Sequence, residues 1–377
     1  MTHSQRQYGI EWLRVWAMFF ITFGHLVGNA KAGGVFSSST QVILSFLLPL
    51  GVGAVDCFIL ITGYFSLRKD TCLAKFLTIY SEMVFYGLLC FALACFLPWA
   101  APRSIHLIKS LIPLAPTQFN YWFVTKYLGL LLLSPFLNSL FDGLSRREKI
   151  AFAGVLCFLN LSLFSNGAFP WGSQYGGGWS LMWFICLYIL GRTLREFRQE
   201  LQRFPKALLF LIWTTLYVLY TLHGKFAILS WADLGYNSIL TLTSALCLFL
   251  LASTWKNAPP LFLRYLSPAI FSVYLLHANF FIRNTLEQQV FPWIAQHWEI
   301  SILPLILLTF FFFATATLVD AGRRMLFHAT GIDLFFTKAG DSVTSLIRDG
   351  YFIRNNERER EREKFMELMG GIRFLTC

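Results

Sequence analysis

The feature that most constrains this chain is a succession of apolar runs, most of them long enough to cross about 30 Å of hydrocarbon. They stand near residues 10–28, 42–65, 76–97, 121–141, 150–166, 179–194, 207–223, 238–255, 266–283 and 302–320. Inside a bilayer a backbone has no water to bond, so such runs cross it as helices. The pattern predicts an all-α integral membrane protein, a polytopic bundle of about ten transmembrane helices. The fifth, sixth and seventh runs are short and fit tilted, broken or sheltered spans. Composition closes the soluble alternative: only 14% of the residues are charged and 56% are hydrophobic, whereas soluble domains carry roughly 25% charged residues. That leaves too little polar surface for the two or three soluble domains a 377-residue chain would form.

The net charge of +11 would suit nucleic acid if Lys and Arg gathered on one face. They fall instead in alternate loops, which is a topology signal and excludes nucleic acid as a partner. With the N-terminus in the cytoplasm, the inner segments hold sixteen basic residues, among them Arg68, Lys69, Arg146, Arg192, Arg195, Arg323 and Arg324. The outer loops hold five: Lys31, Arg103, Lys109, Lys225 and Arg283. This imbalance predicts that both termini face the cytoplasm. Residues 1–321 form the expected membrane domain. Residues 322–377, with the run "RNNEREREREK", form a charged cytoplasmic tail, as a solvated helix or as disorder. The first apolar run lacks a small-residue cleavage site after it and is expected to stay as the first span. Six of the eight Cys lie inside apolar runs with no CxxC or Cys/His spacing, so no metal site is expected. The Gly-rich segment 166–178, "NGAFPWGSQYGGG", is either a cover over an outward cavity or a flexible linker.

Burying a charge in a bilayer costs at least about 2.5–3.5 kcal/mol, so ionisable residues inside the runs are functional candidates. They are Glu11, Arg14 and His25 in the first run, Asp56 in the second, Glu82 in the third, Lys126 in the fourth and His277 in the ninth. Arg14 and His25 stand eleven residues apart, which returns them to within about 20° of one helix face, roughly 16 Å apart along the axis. One stripe thus offers an anion binder near the cytoplasmic boundary and a titratable imidazole in the outer half. The alternatives are a snorkelling anchor for Arg14 and a packing role for His25. Asp56 and Gly63 share a face seven residues apart. Gly63 admits another backbone or a thin ligand. Asp56 is expected either to hold a basic partner such as His25 or Lys126 or to make a structural ion pair. Arg68 and Lys69 crowd the cytoplasmic mouth, as phosphate binders or as ordinary anchors. Trp122 and Lys126 lie one turn apart near the outer surface, where Lys126 has snorkelling as its alternative. Tyr274 and His277 are helix neighbours, with a satisfied packing histidine as the alternative for His277.

In this order, Arg14 with His25, "CFILITGYF" after Asp56, "YWFVTKYLGLLLLSPFLN" and "SVYLLH", the chain resembles the membrane-bound acyltransferase-3 family, and within it the surface-polysaccharide O-acyltransferases. It departs from the family pattern at Cys57-Phe58 and Thr62-Gly63, where relatives often carry Phe-Phe and Ser-Gly; Thr62 keeps the hydroxyl. Many relatives add a soluble acyltransferase domain, and the tail is too short for one, so a stand-alone member is expected. The resemblance implies a multi-pass bacterial inner-membrane enzyme. It implies acetyl-CoA or another acyl-CoA as donor substrate on the cytoplasmic face, no bound cofactor, and an acceptor hydroxyl on an envelope polysaccharide or lipid-linked sugar. In that frame His25 is the general base on the acceptor hydroxyl, and Arg14, helped by Arg68 and Lys69, holds the donor's phosphates. Asp56 and His277 complete the expected catalytic set, with Trp122, Lys126 and Tyr274 against substrate. The rival is a transporter or flippase of a lipid-linked sugar, which should show related halves with paired broken helices. The sequence shows no such repeat.

Overall fold

A computed structural model describes residues 7–33, 36–66, 72–100, 102–112, 121–162, 178–226, 235–255, 260, 262–297, 302–336 and 338–340. Every apolar run forms helix. In chain order the helices are α1 (Tyr8–Gly33), α2 (Ser38–Leu47), α3 (Ala54–Phe65), α4 (Cys72–Cys95), α5 (Ser104–Leu111), α6 (Trp122–Gly143), α7 (Arg146–Asn160) and α8 (Leu181–Glu196). They continue as α9 (Arg198–Leu201), α10 (Lys206–Phe226), α11 (Ile239–Ser253), α12 (Leu263–His277), α13 (Phe280–Thr285), α14 (Phe291–His297) and α15 (Ile302–Thr330). Among the described residues, six spans are long and apolar enough to cross a membrane: Tyr8–Lys31, Ser38–Phe65, Leu73–Cys95, Trp122–Gly143, Lys206–His223 and Ile302–Thr330. A seventh arises if the pair Tyr265–His277 and Phe280–Gln296, bent by 60°, is one broken span.

Compared with the ten expected, α7, α8 and α11 are helices of 15, 16 and 15 residues, short of the roughly 20 that a perpendicular crossing needs. The seventh run is an ordinary span, and the break falls in the ninth instead. There Asn279 caps α13, its side chain accepting from Phe281 N at 3.0 Å, and this turns the chain. The second run also changes course internally, through a 3-10 turn at Leu48–Gly51 that contains Pro49. Gly53 follows at φ +82°, with the backbone of Ala245 so near that a Cβ would lie 2.8 Å from its nitrogen. Only glycine fits both the left-handed φ and that contact.

The buried side chains form two cores. One gathers Met18, Phe23, Met83, Tyr86, Val273 and Phe312 from α1, α4, α12 and α15. The other gathers Leu13, Leu60, Phe141, Trp183, Leu187 and Phe249 from α1, α3, α6, α8 and α11. Helices α1 and α6 contribute to both, so they form the seam between the two halves of the bundle. A close backbone approach joins α3 to α8. A Cβ on Gly63 would stand 2.1 Å from the Tyr188 carbonyl oxygen, and one on Gly191 2.3 Å from that of Leu60. Small residues let two backbones meet where lipid and side chains are equally apolar.

Two of the basic residues expected to lie in inner loops sit inside the bundle instead. Arg323 is buried on α15, with Nη2 at 2.8 Å from Asp320 Oδ1 and 3.1 Å from Glu82 Oε1, and Ser272 donates to Asp320 at 3.0 Å. That cluster ties α15 to α4 and α12. Arg192 pairs with Asp142 at 2.6 Å and bonds Asn138, while Arg195 donates to the Tyr64 and Ser66 carbonyls at the end of α3. Guanidinium groups satisfy such buried acceptors in several directions at once.

Candidate active site

At the seam, α1, α3, α4, α6 and α12 enclose a cavity of about 290 Å³. Its polar lining includes Arg14, His25, Thr62, Glu82, Trp122, Tyr127, Tyr236, Ser267 and Tyr274. The eleven-residue spacing therefore does what helical geometry requires of it: Arg14 and His25 open into one chamber from different heights of α1. Thr62 Oγ1 lies 3.3 Å from Tyr127 OH and donates to the Phe58 carbonyl at 2.9 Å.

His25 is held by a second histidine. His25 Nδ1 lies 3.0 Å from His277 Nε2, and His277 Nδ1 lies 2.7 Å from the Val273 carbonyl oxygen, with Thr22 Oγ1 at 3.4 Å. The hydrogen-bond pattern assigns the tautomers. A carbonyl oxygen only accepts, so Nδ1 of His277 carries the hydrogen and Nε2 of a neutral ring is the acceptor. Nδ1 of His25 must then donate to it, which leaves the lone pair of His25 on Nε2. His25 is half-buried and lines the cavity, whereas His277 is 2% exposed and stands behind it. Tyr274 packs edge-on against His277, ring centroids 5.8 Å apart at 84°. Beyond His25, the Asn29 amide nitrogen, oriented toward its two acceptors, donates to the His25 carbonyl at 3.3 Å and to Glu287 Oε1 at 3.2 Å.

The remaining expected residues divide. Trp122 lines the cavity and stacks in an aromatic group with Trp179, centroids 4.5 Å apart, and Tyr236, 5.8 Å. Lys126, one turn on, is half-buried and is not part of the lining. Asp56 is fully buried, but its bond is to an indole: Trp183 Nε1 donates to Oδ1 at 3.1 Å. That contact joins α3 to α8, on the Gly63 side of the helix, and replaces the expected pairing with His25 or Lys126. Arg68 and Lys69 lie outside the described residues. Sequence patterns missed Thr22, Tyr127 and Tyr236, none of which brings a charge into an apolar run at neutral pH. They also missed Tyr121, whose backbone takes φ 54° and whose hydroxyl joins the Leu275 carbonyl at 2.8 Å to Asn279 at 2.9 Å.

A half-buried imidazole, oriented through its far nitrogen, beside a guanidinium in one cavity is an arrangement that can take a proton from a bound group. The family model of the acyltransferase domain, acyltransferase-3, matches residues 7–321. This chain belongs to the acyltransferase-3 family. The match takes in every described residue of the cavity, and the protein is a membrane acyltransferase. Neither a curated protein nor a solved structure matches the chain.

Proposed function

We propose that this acyltransferase-3 protein moves an acyl group, acetyl in the first instance, from acyl-CoA to a hydroxyl of a cell-envelope polysaccharide or glycolipid. The bacterial inner membrane is its place. The observation that carries the reading is the Nε2 lone pair of His25 in a cavity that also holds Arg14. The acceptor hydroxyl gives its proton to His25 Nε2 as its oxygen attacks the thioester carbonyl. The new C–O bond forms, the C–S bond breaks, and the leaving thiolate takes the proton from His25. His277 positions the base by accepting from Nδ1. Arg14 holds the donor's phosphates, and its separation of about 16 Å from His25 is of the order of an extended pantetheine arm. Trp122, Tyr236 and Tyr274 supply flat apolar walls for the acyl thioester and the acceptor.

The transporter reading draws on the 60° break between α12 and α13. Transport folds place such breaks in pairs, one in each repeat, and a fixed base at the cavity wall is better suited to chemistry than to passage.

The two roles separate in binding experiments with a non-transferable acyl-CoA analogue in detergent. Arg14→Lys keeps the charge but loses the planar fork, so donor affinity falls more than the rate of the bound complex. His25→Ala keeps donor affinity and loses turnover by about 10²–10⁴-fold. Tight binding by Arg14→Lys together with loss of binding in His25→Ala would invert the assignment.

A further inference from the structure

A second cavity, of about 230 Å³, lies between the α4–α5 segment and the helix that follows His277. Trp99, Arg103 and His106 line it from one side, and Phe280, Asn284 and Gln288 from the other. The His106 ring is seated 4.9 Å from Phe280 and 6.0 Å from Phe281. The wall that bears Asn284 and Gln288 also reaches the segment of α1 that carries His25. One position earlier in each case, Arg283 and Glu287 pair at 3.7 Å, and Glu287 meets Asn29, about 6 Å beyond His25 along α1. A π-helical turn, Leu286–Val290, carries both Glu287 and Gln288, and such turns recur at functional sites. One helix therefore presents one face to the segment that holds His25 and the next to the second cavity.

We propose that this cavity is a carbohydrate subsite, holding one pyranose residue of the acceptor beside the residue that is acylated. A pyranose has a flat C–H face and a rim of hydroxyls that each donate and accept. Trp99 offers the flat apolar surface. Asn284 and Gln288 offer amides with a donor and an acceptor apiece, and Arg103 a fork of donors. An interfacial Trp by itself is an ordinary membrane anchor, and Arg103 alone would suit a phosphate as well. Asn284 and Gln288, brought to the same cavity by another helix, add two amides that answer to hydroxyls. The role as acceptor subsite rests on transfer to a glycan, whereas the sugar binding does not.

Saturation-transfer NMR on the full-length protein in detergent tests this with methyl α-glucopyranoside, α-galactopyranoside, α-mannopyranoside and α-rhamnopyranoside. At least one should bind the wild type, with its signal cut about fivefold or more in Trp99→Ala and in Asn284→Ala/Gln288→Ala, and kept in Trp99→Phe. Because Gln288 is on the surface, Gln288→Ala alone should fold normally and show a partial loss. No binding of any pyranoside by the wild type, equal signals in all variants, or displacement by glycerol phosphate would overturn the subsite, the last by making it a lipid-headgroup site. Acyl transfer from labelled acetyl-CoA by the wild type is scored separately. Transfer without sugar binding sinks the subsite alone, and sugar binding without transfer sinks the acyltransfer reading alone.

Discussion

At the scale of single residues, the proposed mechanism gives the two members of the His25–His277 pair different duties. His277 does not line the cavity; its proposed part is to fix which nitrogen of His25 carries the lone pair. His277→Ala removes the acceptor for Nδ1–H, frees the ring to turn and to change tautomer, and should lower kcat by roughly 10–100-fold, the usual cost of losing a group that orients a functional imidazole. His277→Gln, whose side-chain oxygen can still accept, should recover part of that loss. Affinity for a non-transferable acyl-CoA analogue should stay near wild type in both. If both variants lose activity and donor affinity in step, His277 is a packing residue and the tautomer argument fails. The alignment of Arg14 with His25 was legible because helical spacing is a local property of the chain. The His25–His277 contact spans 252 residues of sequence, and nothing in spacing announces it. Asp56 shows the opposite failure. An acidic residue in an apolar run predicts some partner, but the partner is a neutral indole from α8, because a carboxyl needs only a donor and Trp183 brings one.

Among the helices, the α3–α8 contact decides how the cavity wall that bears Thr62 is placed. Gly63→Ala would drive a methyl group against the Tyr188 carbonyl, and overpacking of this kind typically costs about 1–3 kcal/mol. Thermal unfolding in detergent should show a lower Tm for Gly63→Ala, while Gly24→Ala, where a Cβ meets nothing within 4 Å, should unfold like wild type. An unchanged Tm in Gly63→Ala would mean that the two helices are not in backbone contact. Helix identity in all ten runs was legible from hydropathy. The break in the ninth was not, since "YLLHANFF" has neither Pro nor Gly and stays apolar through the turn that Asn279 caps. The burial of Arg323 and Arg192 was hidden for a related reason. A count of loop charges treats every cation near a helix end alike, and only the packing of Asp320, Glu82 and Asp142 distinguishes an ion cluster from an anchor.

At the scale of the whole molecule, two packed cores meet along α1 and α6, and the cavity there is lined by Arg14 at one level of α1 and His25 at another. In the proposed mechanism an acyl donor enters from the N-terminal end of α1 and an acceptor from the other end, and they meet without either crossing the membrane. The hydropathy of the runs made the helical bundle legible. The seam did not show in the sequence, because which helices share a core is set by contacts between distant segments. Sealed membrane vesicles test the plan most directly, since acyl-CoA does not cross a bilayer. With the protein present, labelled acetyl-CoA added outside inverted vesicles, whose cytoplasmic face is outward, should label envelope glycan. Right-side-out vesicles should give no labelling, and His25→Ala should abolish the signal in inverted ones. Labelling of right-side-out vesicles alone, or full labelling by His25→Ala, would contradict the account.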